Sequence, residues 1–221
     1  MAASLSYLKS AIGRKKIVGF TGLGLSLFVF AHMLGNLLIF LGPEAYNSYG
    51  HELTSNKFIY IAEVGLLVLF FSHFCLALVL AMKNRCARPD KYAVSAGGEK
   101  ATSFTSKTMW HQGVIILIFV VLHLITFKYG EVYEVEYGGR VVRDLFRLME
   151  EVFADLTRVG FYVFALLVLG FHLSHGVSSA FRSLGVSHPR YLKKIERAAF
   201  VFAAVVTLGF ISQPLYIYFC L

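Results

Sequence analysis

Long apolar blocks alternate with short polar segments along this chain. Five blocks reach the roughly 18–20 residues that a helix needs to cross a bilayer, and they run over Ile17–Leu41, Phe58–Met82, Met109–Phe127, Val159–Phe181 and Ala198–Leu221. Glu63 is the only Asp, Glu, Lys or Arg inside them. Because lipid offers no partner to backbone N–H and C=O groups, we expect each block to be a helix. The pattern predicts an all-α membrane protein with five transmembrane helices in a single domain, residues 1–221.

The polar segment between the third and fourth blocks carries its own periodicities. Tyr133–Tyr137, the Gly138-Gly139 turn and Arg140–Val142 predict a small β-hairpin. From 142 to 156, apolar residues then recur at intervals of three and four, with charged residues on the opposite face. This predicts an amphipathic helix over 142–156, lying along the membrane surface and capping the bundle.

The net charge of +8 is distributed unevenly between the two sides of such a bundle. The N-terminal segment and the loops 83–108 and 182–197 share one side and carry a net +12, whereas the other side carries −4. The positive-inside rule therefore predicts a cytoplasmic N-terminus and an external C-terminus. The separation also argues against a nucleic-acid surface as the reason for the positive charge.

Four of the blocks carry one histidine at nearly the same depth. His32 follows the first residue of its block by 15 positions, His73 by 15, His123 by 14 and His172 by 13. Histidine inside a membrane is costly and is usually retained for a partner or a function. A structural hydrogen bond would explain any one of them, but four at matched depth favour ligands of a metal or haem.

Helix direction divides the four histidines into two levels. Since consecutive spans run in opposite directions, His32 and His123 should lie toward the outer face, and His73 and His172 toward the cytoplasm. Two pairs stacked across the membrane suit bis-histidine ligation of two haems in a helix bundle. His175 lies one turn after His172, so depth alone does not choose between them.

Other residues near the histidines refine this picture. The small residues Gly35, Ala77 and Gly176 follow three of the histidines by three or four positions, which suits either a porphyrin face or helix packing. The three cysteines show no C-x-x-C-H motif, so a haem here would be non-covalent and b-type.

Five segments in this order resemble the di-haem cytochrome b subunit of succinate:quinone oxidoreductases and quinol:fumarate reductases, in the type with five helices on one polypeptide. The segments are FVFAHMLGN (28–36), GPEAYNSYGHEL (42–53), FFSHFCLAL (70–78), VVLHLITF (120–127) and FHLSHGVSSAF (171–181). The resemblance implies that His32 and His123 hold a distal haem b, and that His73 and His172 hold a proximal one. In that family a glycine follows the last ligand by four residues, as Gly176 follows His172, which favours His172 over His175.

The resemblance also implies the partners and the reaction. A flavoprotein with FAD and an iron–sulfur subunit would dock on the cytoplasmic side of a bacterial inner membrane and carry the succinate and fumarate chemistry, and two complexes would be able to pair. Arg182 would meet the iron–sulfur subunit or the proximal haem propionates. Menaquinone would react near the distal haem, with His51 and Glu52, in the loop entering the second span, or Glu63 as acid–base groups. Some fumarate reductases carry a glutamate two residues before the last ligand, where this chain has Gly170.

Two rival functions remain open at this point. A di-haem anchor of a hydrogenase or formate dehydrogenase would explain the histidines, but such chains usually have four helices. A transporter without redox function is the alternative from another class. It is disfavoured because no Asp or Glu accompanies the histidines near the middle of the membrane.

Overall fold

The computed structural model describes residues 10–86, 104–186 and 188–221, so much of the basic N-terminal segment and of the loop 83–108 lies outside the described residues. The α-helices of the described chain are α1 (Ala11–Asn36), α2 (Pro43–Ser55), α3 (Phe58–Cys86), α4 (Phe104–His123), α5 (Leu145–Phe153), α6 (Leu156–Ser183) and α7 (Pro189–Cys220). A 3-10 turn, Leu37–Leu41, continues α1, and a π-helical segment, Leu124–Lys128, continues α4. Strands β1 (Glu134–Tyr137) and β2 (Arg140–Arg143) pair in antiparallel register.

The described chain contains five helical segments that are long and apolar enough to cross a membrane. They are Ala11–Leu41, Phe58–Asn84, Ser106–Lys128, Leu156–Ser183 and Pro189–Cys220. Each contains one of the five apolar blocks or nearly all of it. The prediction of an all-α, multi-pass membrane fold is therefore confirmed.

Two of these helices begin well before the predicted spans. Helix α1 begins at Ala11, where the Ser10 hydroxyl accepts a hydrogen bond from the Gly13 N–H at 3.1 Å. Helix α7 begins at Pro189, which suits the first helical position because proline has no N–H to lose. The first turns of both helices are rich in basic residues, so they lie outside the predicted apolar blocks. Hydropathy marks the part of a helix that lies in lipid, and capping groups decide where the helix begins.

The segment expected to be a loop entering the second span is the helix α2. Gly42 has a φ of 98°, which turns the chain sharply after the 3-10 turn, and Pro43 then begins the helix. Tyr46 and Asn47 on α2 are buried, so this helix packs against the bundle rather than extending into solvent.

The hairpin was predicted correctly, and the amphipathic helix was predicted too long at both ends. Gly138 and Gly139 have φ of 58° and 80°, as a tight two-residue hairpin turn requires. Instead of 142–156, α5 covers Leu145–Phe153, because Val142 belongs to β2 and the Asp144 carboxylate caps the helix by accepting from the Arg147 N–H at 3.0 Å. At the other end, Asp155 caps the following helix α6.

Helices α2 and α5 and the hairpin cover one end of the bundle, which we call the cap end. The opposite end, from which α1 starts and at which α6 finishes, we call the basic end. The largest buried cluster lies at the cap end and consists of Ile39, Tyr46, Phe146, Leu148, Met149, Val152, Phe153, Val159, Tyr162 and Ile217. The expectation that α5 caps the bundle is met by the burial of its apolar face.

Small residues allow close approach between the long helices. A Cβ added at Gly170 of α6 would collide with the Thr207 side chain of α7, and one added at Gly209 of α7 would collide with Met33 of α1. Val206, beside this contact, is fully buried. The close contacts give Gly170 and Gly209 a packing role, as small residues commonly have between membrane helices.

The helices that carry two of the four histidines pack much less tightly. No described residue of α3 is buried, and among the residues of α4 whose burial is described only Gln112 is buried, whereas α6 and α7 each bury seven. Helix α3 lies mainly against α1, and α4 lies mainly against α6. Two of the four histidines, His73 and His123, therefore lie on the loosely packed helices, and the other two lie on better buried ones.

Asn47 joins the elements of the cap end through its side-chain amide. Its Nδ2 donates to the Asp144 carboxylate at 2.8 Å and to the Tyr137 hydroxyl at 3.3 Å, and its Oδ1 accepts from the Phe146 N–H at 2.9 Å. The residue is completely buried. One amide thus connects α2, the hairpin and the start of α5.

Replacing Asn47 with Ala should lower the free energy of unfolding by about 1–3 kcal/mol, because the Phe146 N–H would be left buried without a partner. Asn84→Ala, at the exposed end of α3, is the control and should change stability by less than about 0.5 kcal/mol. Unfolding of both purified variants in detergent would measure the difference. Equal effects would contradict the bridging role of Asn47.

Candidate functional site

The structure brings the four histidines together as two pairs. His32 of α1 lies beside His123, the last residue of α4, with ring centroids 6.0 Å apart and ring planes at 82°. His73 of α3 lies beside His172 of α6, with centroids 6.4 Å apart and planes at 74°. These are the two pairs expected from helix direction.

The pairs lie at different heights in the bundle. The His73 ring contacts α1 at Val18 and Thr21, and His32 follows Thr21 by 11 residues, about 16 Å along the helix axis. The His32 pair lies near the cap end, where His123 contacts the buried ring of Tyr162. We refer to them as the cap-end pair (His32 and His123) and the basic-end pair (His73 and His172).

The separation within each pair matches two imidazoles on opposite sides of one metal atom. A metal–imidazole bond is about 2 Å, and the ring centroid lies about 1 Å beyond the nitrogen, so the two centroids would be about 6 Å apart. Direct aromatic contact also spans this range. Distance alone therefore does not distinguish a metal site from direct ring contact. The hydrogen-bond partners of each ring give further evidence.

His73 is held by an acceptor on the neighbouring helix. Its Nδ1 lies 3.2 Å from the Val18 carbonyl oxygen and 3.2 Å from the Thr21 hydroxyl oxygen. A carbonyl oxygen only accepts hydrogen bonds, so Nδ1 must carry the proton in this contact. The Nε2 lone pair is then free to bind a metal, which is the usual arrangement for a ligating histidine.

His32 contacts a polar chain that leads to the cap helix α2. The Asn36 amide nitrogen lies 3.3 Å from its Nδ1 and donates to its backbone carbonyl at 2.8 Å. The Tyr46 hydroxyl donates to the Asn36 side-chain oxygen at 2.9 Å. Burial raises the pKa of Tyr46 to about 12, so this hydroxyl stays protonated and remains a donor at physiological pH.

The second member of each pair has a ring nitrogen that the described protein leaves unpaired. Nδ1 of His123 and Nδ1 of His172 are both buried and have no hydrogen-bond partner among the described residues. A histidine kept only to make a structural hydrogen bond would use that atom. Within the described chain, neither His123 nor His172 therefore makes a structural hydrogen bond through Nδ1, and neither has an Nδ1 partner of the kind that holds His73.

The donor set suits a cofactor that brings its own additional ligands. Among the described residues, no three His, Cys, Asp or Glu side chains come together as a candidate metal site. A protein-only zinc site takes three or four such ligands. Two facing imidazoles are the axial set of a haem, whose porphyrin supplies the other four nitrogens.

His172 is the histidine that faces His73, and His175 is not part of the pair. The His172 ring makes the pair contact, whereas His175 lies one turn further toward the basic end. This geometry supports the prediction of His172 as the ligand.

The π-helical segment begins directly after His123. Such segments are rare and often occur at functional sites, because the extra residue shifts the following side chains around the helix. Here the segment presents Phe127 to the His123 ring at 5.3 Å and to the Tyr162 ring at 6.0 Å. Sequence periodicity did not indicate this feature.

The three acid–base candidates lie elsewhere at the cap end and do not form a cluster. Glu52 is exposed on α2 and pairs with Arg140 of the hairpin at 3.3 Å, while His51 beside it is partly exposed. Glu63 pairs with Lys128 at the end of the π segment, and its side chain is 39% exposed. Although Glu63 lies inside an apolar block, its carboxylate is therefore held at the bundle surface by Lys128.

A cavity of about 640 Å³ opens at the cap end between α5, the start of α6 and the π segment. Its lining consists of Leu122, Thr126, Gly130, Glu131, Leu148, Glu151, Val152, Arg158, Phe161 and Tyr162. Tyr162 lines the cavity and also lies 6.3 Å from the His123 ring, between centroids. One buried aromatic side chain thus connects the cavity with the cap-end pair.

Glu151, one of the charged side chains that line this cavity, is held by two donors. The Tyr133 hydroxyl donates to Glu151 at 2.6 Å, and Arg147 donates to the same carboxylate at 3.1 Å. The Tyr133 hydrogen bond, followed by Arg147, holds the pKa of Glu151 below its usual range. Glu151 is therefore ionised at neutral pH and serves as an acceptor rather than as a proton donor.

The remaining predicted residues take packing or pairing roles. Arg182 forms an ion pair with Glu196 between the basic ends of α6 and α7. A Cβ on Gly35 would lie 2.7 Å from the Tyr49 ring of α2, so Gly35 makes room for the cap helix. A Cβ on Gly176 would make an ordinary 3.4 Å contact with Met109.

The partners of the histidines were not identified from the sequence. Thr21 and Asn36 are polar residues in or near the first span, a signal that marks them as unusual but does not say which histidine they contact. The Val18 carbonyl has no sequence signature at all. Comparison of the chain with models of protein families, with curated protein sequences and with solved structures gives no match.

Proposed function

We propose that this chain is the membrane-embedded di-haem cytochrome b of a succinate:quinone oxidoreductase or quinol:fumarate reductase. The observation that carries the proposal is the pair of facing imidazoles at each of two levels, with centroids 6.0 and 6.4 Å apart. His32 and His123 would hold one haem b, and His73 and His172 the other. When bound, each haem would supply a one-electron redox centre, and the two histidines of its pair would hold it.

The chain's own residues hold the ligands and exclude water. Val18 and Thr21 keep the proton on Nδ1 of His73, and the apolar spans keep the rings in a medium of low polarity. Phe28 stacks on the His32 ring at 5.5 Å with the planes only 9° apart, which limits rotation of that ring. These contacts orient the ligands before any electron transfer takes place.

Charge supports an orientation of the chain in the membrane, and the family resemblance implies its partner subunits. Under the positive-inside rule, the charge of the basic loops supports a cytoplasmic basic end, and the family resemblance implies a bacterial inner membrane. A flavoprotein with FAD and an iron–sulfur subunit would dock there and carry the dicarboxylate chemistry. Arg182, which Glu196 holds at this end, is our candidate contact with the iron–sulfur subunit or with a propionate of the basic-end haem.

The cap-end cavity is the best-supported site for a quinone, which we take to be menaquinone. Leu122, Val152 and Phe161 offer apolar walls, and the Tyr162 hydroxyl and the Arg158 guanidinium offer polar groups for a quinone oxygen. Most small-molecule sites combine these features. Tyr162 also contacts the His123 ring, so a quinone in this cavity would be separated from the cap-end pair by one side chain.

Single histidine replacements test the function. His123→Leu and His172→Leu should each remove one of two b-type haems per chain, because an axial ligand is lost. His175→Leu is the matched control and should keep both. Reduced-minus-oxidised absorption spectra of purified complex, with haem quantified per chain, would measure this. A wild-type chain without haem would support the transporter alternative, and loss of haem only in His175→Leu would contradict the ligand assignment.

Variants of the cavity test the quinone site. Tyr162→Phe should slow oxidation of a menaquinol analogue about tenfold, equivalent to about 1.4 kcal/mol, because one hydrogen bond to the quinone oxygen is lost. Both haem spectra should be unchanged. Tyr129→Phe is the control, because Tyr129 is exposed and does not line the cavity.

The same assay separates the cavity from the earlier acid–base candidates. Glu63→Gln and Glu52→Gln should leave turnover unchanged if the cavity is the site, since neither residue lines it. Slower turnover in these two variants with normal turnover in Tyr162→Phe would place the quinone beside α2 and α3 instead.

A further inference from the structure

We infer that Gly22 of α1 is a positioning residue for His73: its missing side chain lets the imidazole reach the Val18 carbonyl, and this contact fixes the proton and the plane of the ring. The inference rests on the proposed function, since it concerns how a ligand is prepared for its metal. It assigns to α1 a role in the basic-end pair, in addition to carrying His32.

The contact depends on close approach at one position. A Cβ added at Gly22 would lie 3.0 Å from Cε1 and 3.4 Å from Nδ1 of His73. The closer contact is tighter than nine in ten real Cβ contacts, so with an alanine at this position the ring must shift by a few tenths of an ångström. The His73 ring is not free to move, because its Nδ1 is hydrogen-bonded to the Val18 carbonyl of α1 and the ring also contacts His172.

The helix geometry explains why a glycine is needed at this position. In an α-helix the N–H of residue i bonds to the carbonyl of residue i−4, so Gly22 covers the Val18 carbonyl. Any side chain at 22 would project beside that oxygen. Glycine leaves the second lone pair of the carbonyl open to a donor from the neighbouring helix, and His73 Nδ1 uses it at 3.2 Å.

Thr21 completes the acceptor site. Its hydroxyl lies within hydrogen-bonding distance of the Ile17 carbonyl at 2.8 Å and of the Val18 carbonyl at 3.2 Å, so its proton is directed to the helix backbone. The hydroxyl oxygen therefore has a lone pair for His73 Nδ1, which lies 3.2 Å away. Two acceptors on one helix turn hold a single N–H, and the Nε2 lone pair is left for the metal.

The cap-end pair lacks this device. Gly35, the glycine closest in sequence to His32, makes room for Tyr49 and not for a histidine. The polar neighbour of His32 is a side-chain amide, Asn36, rather than a backbone carbonyl. A change at Gly22 should therefore affect the basic-end centre alone.

The test uses Gly22→Ala and Thr21→Val in the purified complex, with Gly24→Ala as the control. Gly24 lies on the same helix and also faces α3, but an alanine there would meet only the end of the Leu69 side chain at 3.3 Å. Alanine forms helix better than glycine, so neither alanine variant is expected to weaken α1 itself. Haem per chain and the midpoint potential of each haem are measured, and the basic-end haem is identified as the one that remains in His123→Leu.

Gly22→Ala should weaken binding of the basic-end haem about 10–100-fold, as loss of an outer-shell partner does. The basic-end haem that is still bound should have a higher midpoint potential. A histidine that loses its hydrogen-bond acceptor donates less charge to the iron and stabilises the oxidised state less. Thr21→Val should keep both haems and raise the same potential by a smaller amount. Gly22→Ala and Thr21→Val should leave the occupancy and potential of the cap-end haem unchanged, and Gly24→Ala should change neither haem.

Unchanged occupancy and potentials in Gly22→Ala would overturn the inference while leaving the proposed function intact. Equal haem loss in Gly22→Ala and Gly24→Ala would also overturn it, since general packing of α1 would then be responsible. A wild-type complex without haem would overturn the proposed function itself and this inference with it.

Discussion

A buried ring nitrogen without a partner is costly, and the proposed function of this chain depends on how the four imidazoles inside the bundle are held. His73 gives the proton of Nδ1 to the Val18 carbonyl, and His32 lies against the Asn36 amide. His123 and His172 each keep a buried Nδ1 without a partner among the described residues. Within that part of the chain, neither of these two rings has the Nδ1 partner that His73 has. The four rings lie in two pairs at two levels, which supports our proposal that each pair holds one haem.

Helix α1 is the element that connects both pairs with the rest of the bundle. It carries His32 near the cap end, and one helix face nearer the basic end supplies the acceptors and the glycine that receive His73. Asn36 at its end continues to Tyr46 of the cap helix. Tight packing joins α7 with α6 at Gly170 and with α1 at Gly209, whereas α3 and α4 contain almost no buried residue among those described. Each pair thus joins one histidine from a loosely packed helix to one from a better buried helix, α1 or α6.

The sequence predicts the spans because a helix that crosses lipid must be long and apolar. It predicts the pairing of the histidines because the position of each histidine along its span, together with the direction of that helix, gives its level in the membrane. It does not predict contacts that depend on a backbone carbonyl or a missing side chain, such as Val18 with His73 across Gly22. The sequence predicts a loop where helix α2 lies, because the polar residues of α2 carry no hydropathy signal and its start depends on the positive φ of Gly42. The ion pair of Glu63 is not predictable from a local pattern because its partner, Lys128, is 65 residues away in the chain. The cap-end cavity combines residues from α4, its π-helical extension and following loop, α5 and α6, so no local pattern indicates it.

The central claim, that each histidine pair holds one iron atom, is tested most directly by anomalous scattering at the iron absorption edge from crystals of the complex. We expect two iron peaks attributable to this chain, one between the rings of His32 and His123 and one between those of His73 and His172. The two peaks should lie at the different heights of the two pairs. Absence of iron from both positions, or a peak coordinated by His175 in place of His172, would contradict the account.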